Sequence, residues 1–226
     1  MNPVPRVAIV GAGIAGLSCA TRLARHGCTV SLFDKSRAPA GRMSTRRGEG
    51  WQCDHGAQYF TARSPGFRAE VARWQAAGAA ALWQPRLAVL GDADARVPDA
   101  ALERFVGMPR MSAPARLLAG QLPLATGVTI SGLAREDAGW RLHSVEHGRL
   151  GQCFERVVLA VPAPQAVPLL GDVAPALAAI AAGSRMRACW ALMLRYAEPL
   201  ALPFDAAFVN SGPLRWVTRD SSKPGR

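Results

Sequence analysis

The chain has 226 residues, half of them hydrophobic, so it can bury the core of one large or two small domains. Its formal charge of +11 comes almost entirely from arginine, because only Lys35 and Lys223 are lysines; these charges form no run with interleaved aromatics, which argues against a nucleic-acid partner. The five cysteines have no CxxC spacing and the four histidines form no metal-ligand pattern with them, which argues against a disulfide framework and a metal site.

The first predicted element is a buried strand, the apolar run VAIV, followed by three glycines, Gly11, Gly13 and Gly16. A helical pattern over Ile14–His26 begins inside the glycine run. Gly11 permits a tight turn, Gly13 lets the backbone approach a pyrophosphate, and Gly16 lets helix and sheet pack closely. The helix N-terminus would present free N–H groups to the anion. The pattern therefore predicts a dinucleotide-binding βαβ unit.

The second predicted strand covers Thr29–Phe33 and ends at an acidic residue, Asp34. Gly27 stops the preceding helix. An acid at the end of this strand accepts hydrogen bonds from the adenosine ribose hydroxyls. A glycine-rich surface turn is the alternative interpretation, but it does not account for Asp34.

The loop after Asp34 favours a flavin site over a nicotinamide site, because it ends in Gly41 and Arg42. FAD enzymes that hold the cofactor in an extended pose often have a Gly-Arg pair at this point. The glycine allows close approach, and the guanidinium fork pairs with pyrophosphate oxygens more specifically than an ammonium does. Arg46 and Arg47 are interpreted as solvated or phosphate-steering charges. We therefore expect FAD as the cofactor.

The rest of the chain alternates between helix and strand patterns. Ser64 and Pro65 mark a helix start, as N-cap and first helical residue. The later predicted elements are an edge strand over Leu82–Leu90 that tolerates Pro85, a polar connector over Ala93–Asp99, a helix capped by Ser112, meander strands over Val128–Ile130, Trp140–Val145 and Cys153–Val161, a helix around Ala174–Ala182, an extended run over Cys189–Tyr196 and a last strand-like piece ending at Trp216.

Four motifs, in this order, resemble those of the renalase family of flavoproteins, particularly its bacterial members. They are the N-terminal glycine unit, AGRM at 40–43, GAQY at 56–59 and VVLAVPAPQ at 157–165, and the resemblance covers the whole chain. One departure is Ala40, where many relatives in the wider amine-oxidase group have glycine. Because alanine adds only one methyl group, the departure puts little in doubt about the resemblance.

The resemblance implies cofactor-binding roles for residues in each motif. It places the pyrophosphate turn at Gly11, Ala12, Gly13, Ala15 and Gly16, the ribose contacts at Asp34 and Lys35, the pyrophosphate-to-flavin stretch at Gly41, Arg42 and Met43, and the isoalloxazine contacts at Gln58 and Tyr59. Ile130 matches the position whose backbone meets the adenine, and Pro162 closes the strand that returns from the cofactor domain. For these two residues, core packing and strand termination are the alternatives.

The predicted fold class is α/β, with a discontinuous Rossmann-type FAD-binding domain and a second, mixed-sheet substrate domain. The first is expected over 1–70 and 108–165, the second over 71–107 and 166–226, with the flavin ring between them. Relatives complete the cofactor domain with a Gly-Asp pair before a final helix. Neither Gly-Asp pair in this chain, at 91–92 or 171–172, follows a final strand. The chain is therefore expected to be incomplete at the C-terminus. It would lack this final part of the cofactor domain, and the substrate domain would be incomplete as well.

The resemblance implies an FAD-dependent oxidase that converts 2- or 6-dihydro isomers of NAD(P) to NAD(P)⁺ while O₂ is reduced to H₂O₂. The partners would be the small dinucleotide substrate and O₂. Such a substrate becomes aromatic by losing hydride alone, so no catalytic acid or base side chain is expected.

Two other functions remain open. One is a flavin amine oxidase, an enzyme class that commonly places a lysine near the flavin N5. It is disfavoured because Lys35 belongs to the ribose end and Lys223 to a polar tail. The other is a truncated, non-catalytic dinucleotide-binding fragment.

The location of the protein is predicted from its N-terminus and its apolar runs. No basic lead-in precedes the first apolar stretch, which glycines interrupt, so no signal peptide is expected. No apolar run approaches the roughly 20 residues of a membrane span. With reduced cysteines, these features predict a cytoplasmic protein without a membrane partner.

Overall fold

The computed structural model describes residues 4–91, 99 and 101–226. The predicted connector over Ala93–Asp99 lies outside the described residues, apart from Asp99. The helices and strands, in chain order, are β1 (Arg6–Val10), α1 (Ile14–Arg25), β2 (Thr29–Asp34), β3 (Thr45–Gly48), β4 (Trp51–Asp54), α2 (Pro65–Ala76), β5 (Ala80–Trp83), β6 (Leu87–Leu90), β7 (Arg104–Gly107), α3 (Ala113–Ala119), β8 (Leu124–Thr126), β9 (Ile130–Glu136), β10 (Gly139–Ser144), β11 (Gly148–Phe154), β12 (Arg156–Leu159), α4 (Ala163–Leu170), α5 (Pro175–Ala182), β13 (Ala206–Val209), β14 (Trp216–Thr218) and a 3₁₀ turn (Asp220–Ser222).

The chain divides into two compact units, each made of two segments. Unit 1 comprises the described residues of Met1–Met43 and Ala115–Trp190, and unit 2 those of Ser44–Pro114 and Ala191–Arg226. The expected assignment of 1–70 with 108–165 to cofactor binding, and of the remainder to substrate binding, uses other boundaries. That division by function stays a prediction.

Unit 1 is built on a parallel sheet with the strand order β12-β1-β2-β8. Neighbouring parallel strands need a crossover connection, and α1 makes it between β1 and β2. The helix buries its apolar face, with Leu17 and Ala20 fully inaccessible to solvent. The predicted α/β class, with a Rossmann-like parallel sheet, is therefore confirmed.

An antiparallel meander, β9-β10-β11, follows β8 and shares the core of unit 1. Ala8 and Val10 of β1 pack in one cluster with Ile130, Leu142 and Phe154 of the meander. The prediction that Cys153–Val161 is one strand of the meander is wrong, although its apolar part, predicted from Val157 as a parallel strand, does pair in parallel with β1. The chain changes partner at Glu155, whose backbone N–H donates to the carbonyl of Arg6 at 3.0 Å, so that β11 pairs with β10 and β12 pairs with β1.

Unit 2 contains three small sheets, with strand orders β14-β13-β6, β3-β4 and β5-β7. The predicted helix start in this unit is confirmed, because the Ser64 hydroxyl accepts the Phe67 N–H at 3.4 Å and Pro65 is the first residue of α2. The predicted edge strand over Leu82–Leu90 is wrong. It is two strands in different sheets, separated by the segment that contains Pro85, which has no N–H to donate to a ladder.

The end of the chain departs from two further sequence predictions. The extended run Cys189–Tyr196 forms no strand in the described structure, and Trp190 and Leu192 are 97% and 82% exposed. Alternating apolar residues bury one face only when a neighbouring strand supplies the ladder, and no described strand pairs with this run. Trp216 begins the last strand instead of ending it. Among the described helices, none has the length and apolar character needed to cross a membrane.

Candidate functional site

The glycine turn between β1 and α1 is tightly packed at two of its three glycines. Gly11 has a φ of +104°, and a β-carbon there would lie 2.6 Å from the carbonyl oxygen of Ala160, beyond the end of β12. A β-carbon at Gly16 would overlap the carbonyl oxygen of Gly11. These two glycines are therefore required by the protein's own packing, whatever the turn binds.

Gly13 has a different environment, because a β-carbon there would meet no atom within 4 Å. Its φ of −71° is also open to any residue, so neither packing nor backbone conformation requires glycine. It is the N-cap of α1 and gives the helix no side-chain cap. The first N–H groups of a helix need external partners. The open space at Gly13 and these donors fit a pyrophosphate group that approaches the backbone closely.

Asp34 is fixed at the end of β2 by two backbone groups. The N–H of Ala12 donates to Oδ2 at 2.6 Å, and the N–H of Ser36 donates to Oδ1 at 2.7 Å. Each carboxylate oxygen keeps a second lone pair, so both can still accept a ribose hydroxyl. The Asp34 carbonyl also accepts the N–H of Val128 at 3.0 Å, which brings the segment before Ile130 to the same strand end.

The loop Ala40–Met43 lies against the glycine turn in unit 1. The N–H of Ala40 donates to the carbonyl of Ala12 at 3.1 Å, and Ala40 forms a bridge with Gly13. Gly41 has a φ of +54°, and a β-carbon on it would lie 3.3 Å from the α-carbon of Gly13. Ala40 itself is buried with a φ of +125°, where alanine is strained.

We therefore expect Ala40→Gly to stabilise the protein. Relief of the backbone strain contributes about 1–3 kcal/mol, and the greater freedom of glycine in the unfolded chain removes about 0.5–1 kcal/mol of that gain. Urea unfolding should show a higher midpoint. Ala15→Gly is the matched control, since Ala15 is exposed in α1, and it should be destabilising by up to about 1 kcal/mol. A lower midpoint for Ala40→Gly would contradict the strain.

The other predicted site residues of unit 1 differ in their exposure and in their contacts. Lys35 and Arg42 are exposed, and the N–H of Met43 donates to the Ala40 carbonyl at 3.0 Å. Pro162 is the N-cap of α4, so it begins a helix directly after the β12 segment that packs on Gly11. The Ile130 side chain lies in the core, as the alternative interpretation expects, and a role for its backbone stays a prediction.

In unit 2, the structure corrects the placement of Lys223 in a polar tail. The Lys223 side chain is fully buried, and its ammonium donates to Asp54 Oδ2 at 3.2 Å, Gln58 Oε1 at 3.1 Å and Asp220 Oδ1 at 2.7 Å. Three acceptors use all three of its hydrogens. The amide of Gln58 donates in turn to the Asp54 carbonyl at 2.7 Å. Lys223 therefore fixes the orientation of Gln58.

Asp54 is the centre of this buried ionic cluster. Its carboxylate accepts hydrogen bonds from Thr45 and from the Met111 N–H, and its Oδ2 lies 2.5 Å from Nη2 of Arg226. Burial alone would raise the pKa of Asp54, but the Lys223 charge and the hydrogen bonds from Thr45 and Arg226 hold that pKa below its usual value. The carboxylate is therefore ionised at neutral pH.

Tyr59 lies in an aromatic group beside a small cavity. Its ring centroid is 5.4 Å from that of Trp216, and the Arg104 guanidinium lies 5.6 Å above the tyrosine ring. The cavity has a volume of about 280 Å³, and its lining consists of Gln58, Tyr59, Phe208, Arg215 and Trp216. It offers flat apolar faces and one cation, with no carboxylate, which suits a planar ring near an anionic group.

The structure thus brings together two groups of predicted residues. The turn glycines, Asp34 and the Gly41 loop meet in unit 1, and Gln58 meets Tyr59 in unit 2. Sequence reasoning missed Asp54 and Lys223, although an acid two residues before the GAQY motif was a signal for the first. No group of His, Cys, Asp and Glu in the described part of the chain can hold a metal ion.

Comparison with known protein families gives a match for the N-terminal part of the chain. The family model for an NAD(P)-binding Rossmann-like domain matches residues 9–73. A hydroxyneurosporene desaturase from Cereibacter sphaeroides is 47% identical over 60 residues, which is 26% of this chain and 12% of that protein. A zeta-carotene-forming phytoene desaturase from Myxococcus xanthus is 41% identical over 51 residues, or 23% and 10% of the two chains. The matched stretches therefore span only a small part of these relatives.

Solved structures share the fold over a longer range. A candidate protoporphyrinogen oxidase from Exiguobacterium sp. 255-15 aligns with a TM-score of 0.63 and 14% identity, over 92% of this chain and 70% of that one. A putrescine oxidase variant with redesigned cofactor binding aligns with a TM-score of 0.56 and 14% identity, over 74% and 60%. Residues 9–73 of this chain therefore match an NAD(P)-binding Rossmann-like domain, and a short stretch of the chain is similar to desaturases.

Proposed function

We propose that this chain is an FAD-binding oxidoreductase whose substrates are 2- or 6-dihydro isomers of NAD(P), as the renalase-like motifs imply. The observation that carries the cofactor assignment is the open backbone at Gly13, bridged by the loop that bears Gly41 and Arg42. A flavin dinucleotide needs a pyrophosphate site at such a turn. The desaturase, protoporphyrinogen oxidase and putrescine oxidase names among the similar proteins also favour redox chemistry.

The chain's own residues would bind and orient the reactants. The N–H groups at the start of α1 bind the pyrophosphate, Asp34 accepts the ribose hydroxyls, and Arg42 pairs with phosphate oxygens. Bound FAD supplies the hydride acceptor. The dihydropyridine ring would lose one hydride to that acceptor and become aromatic NAD(P)⁺, and O₂ would take up the two electrons and the hydrogen of that hydride, with one proton from water, to give H₂O₂. Because no proton leaves the substrate, the site needs no general base.

The cavity beside Tyr59 supports a planar substrate of this kind. Its aromatic faces suit a pyridine ring, and Arg215 suits a nearby anionic group. Lys223 argues against an amine oxidase, but for a reason other than a tail position. All its hydrogens are used within the protein, so it has none left to hold a water molecule near a reacting amine.

The test is to load the protein with FAD and mix it anaerobically with each class of substrate. We expect 2- or 6-dihydro-NAD(P) to remove the visible flavin absorbance, and air to restore it with peroxide formed. A simple primary amine should leave the absorbance unchanged. Bleaching by the amine without bleaching by the dihydropyridines would support the amine oxidase instead. No bleaching by either substrate would also contradict the proposal.

A further inference from the structure

The hairpin of β3 and β4 borders a second cavity in unit 2, which none of the functions above uses. Its volume is about 600 Å³, within the range of roughly 300–1,000 Å³ that is usual for small-molecule sites. Its lining consists of Arg47, Gly48, Gly50, Trp51, Gln52, Arg110, Ser221 and Arg226. Three of these residues are arginines and none carries a carboxylate.

Two of these arginines, Arg226 and Arg47, differ in what balances their charge. Arg226 is buried and pairs with Asp54 at 2.5 Å and with Asp220 at 3.4 Å, so its charge is largely neutralised within the protein. The Arg47 side chain is exposed, and no carboxylate of the described chain forms an ion pair with it. Arg47 therefore adds a positive charge to the cavity wall. Because no carboxylate of the described chain pairs with it, this charge can pair with a ligand.

Arg47 and Arg46 are neighbours in β3, but only Arg47 lines the cavity. Arg47 lies directly opposite Gln52, and Arg46 lies opposite Cys53. Residues opposite each other share a face, and neighbours along a strand alternate between faces. Arg47 and Gln52 thus share one face of the hairpin and both line the cavity, whereas Arg46 and Cys53 share the other face and are not among its lining residues.

Trp51 forms the rim of the cavity and is held there by packing. A β-carbon at Gly48 would overlap its indole ring, so glycine at this position makes room for the tryptophan. The amide of Gln52 donates to the Pro109 carbonyl at 2.9 Å, which ties the hairpin to the segment that carries Arg110. Two residues of the cavity wall, Trp51 and Gln52, are therefore held in place by contacts within the protein.

We infer that this cavity binds the phosphate groups of a nucleotide. A guanidinium fork matches phosphate oxygens in geometry as well as charge. A lining with arginines and no acid selects an anion, and the volume admits a group larger than a single phosphate. The identification of that nucleotide as the dinucleotide substrate rests on the proposed function. The phosphate site itself does not.

The experiment follows the indole signal of Trp51 in the full chain carrying ¹⁵N-labelled tryptophan, with the signal assigned through Trp51→Phe. Inorganic pyrophosphate and ADP are titrated separately at constant ionic strength, because salt screens exposed charges. We expect saturable shifts with both probes. Arg47→Ala should weaken binding about tenfold, and Arg46→Ala by no more than about twofold.

The possible outcomes answer three separate questions: whether the phosphate site exists, whether its ligand is a nucleotide, and whether the proposed function is correct. Tighter binding of ADP than of pyrophosphate supports a nucleotide, and equal affinities would overturn that part of the inference. An unmoved Trp51 signal, or equal losses in the two arginine variants, would overturn the site altogether. Failure of the dihydropyridines to bleach the flavin would leave Arg47-dependent binding intact, because this measurement involves no turnover.

Discussion

Gly16→Ala should be the most disruptive single-methyl change in the βαβ unit, with a loss of about 3 kcal/mol or more in the free energy of unfolding. The new β-carbon would overlap the carbonyl oxygen of Gly11, and its next neighbours are backbone and Ala160, so no flexible side chain can move aside. Urea unfolding followed by tryptophan fluorescence measures the loss.

Gly13→Ala is the matched control, since it adds the same methyl group within the same turn. The methyl would meet no protein atom within 4 Å, so stability should change by no more than about 1 kcal/mol. FAD binding, followed by quenching of flavin fluorescence, should nevertheless weaken, because the methyl occupies the space assigned to the pyrophosphate. Equal stability losses in the two variants would contradict the packing difference, and unchanged FAD affinity in Gly13→Ala would contradict the cofactor site.

Lys223→Met should also destabilise the protein strongly, by about 3–5 kcal/mol at neutral pH. Lys223 and Arg226 balance Asp54 and Asp220 in a buried cluster, and removal of the ammonium leaves a negative charge without compensation. Gln58 also loses the donor to its Oε1. Lys35→Met is the control, because Lys35 is the other lysine of the chain and is exposed; its effect should stay within about 0.5 kcal/mol.

The pH dependence of the free energy of unfolding, compared between the unmodified protein and Lys223→Met, distinguishes a lost charge from lost packing. In the unmodified protein the pKa of Asp54 is lowered from 3.8, so its ionised form stabilises the fold above that value and the contribution is lost as the pH falls through the lowered pKa. Without Lys223, one of the causes that lower the pKa of Asp54 is removed, so this pKa is higher than in the unmodified protein, and protonation relieves the buried charge. The stability difference should therefore narrow as the pH falls through the pKa of Asp54. A constant difference would indicate a packing defect alone.

The sequence was sufficient to predict the βαβ unit because its determinants are local. The glycines, the helix and Asp34 lie within one short stretch, and each is recognisable from the residues next to it in the sequence. The Ser64 cap was predictable for the same reason. These elements require no knowledge of distant segments, so pattern and propensity were enough.

The errors occurred where distant segments decide the structure. Glu155 ends one strand because its N–H bonds to Arg6, and a one-dimensional apolar pattern does not show that change of partner. Lys223 and Asp54 are 169 residues apart, and a lysine between polar residues near a chain end has the local signature of a solvated tail. The strain at Ala40 was missed because composition does not reveal a φ angle.

Asp34 has a consequence for recognition that goes beyond the ribose contact proposed for it. Its carboxylate is already held by two backbone N–H groups, from Ala12 and Ser36, before any dinucleotide arrives. The conformational entropy of ordering this acceptor is thus lost when the chain folds and not when it associates, which favours affinity. A substitution at Asp34 would also loosen the turn in the free protein. A change in ligand dissociation rate caused by such a substitution would combine a lost contact with a lost preorganisation.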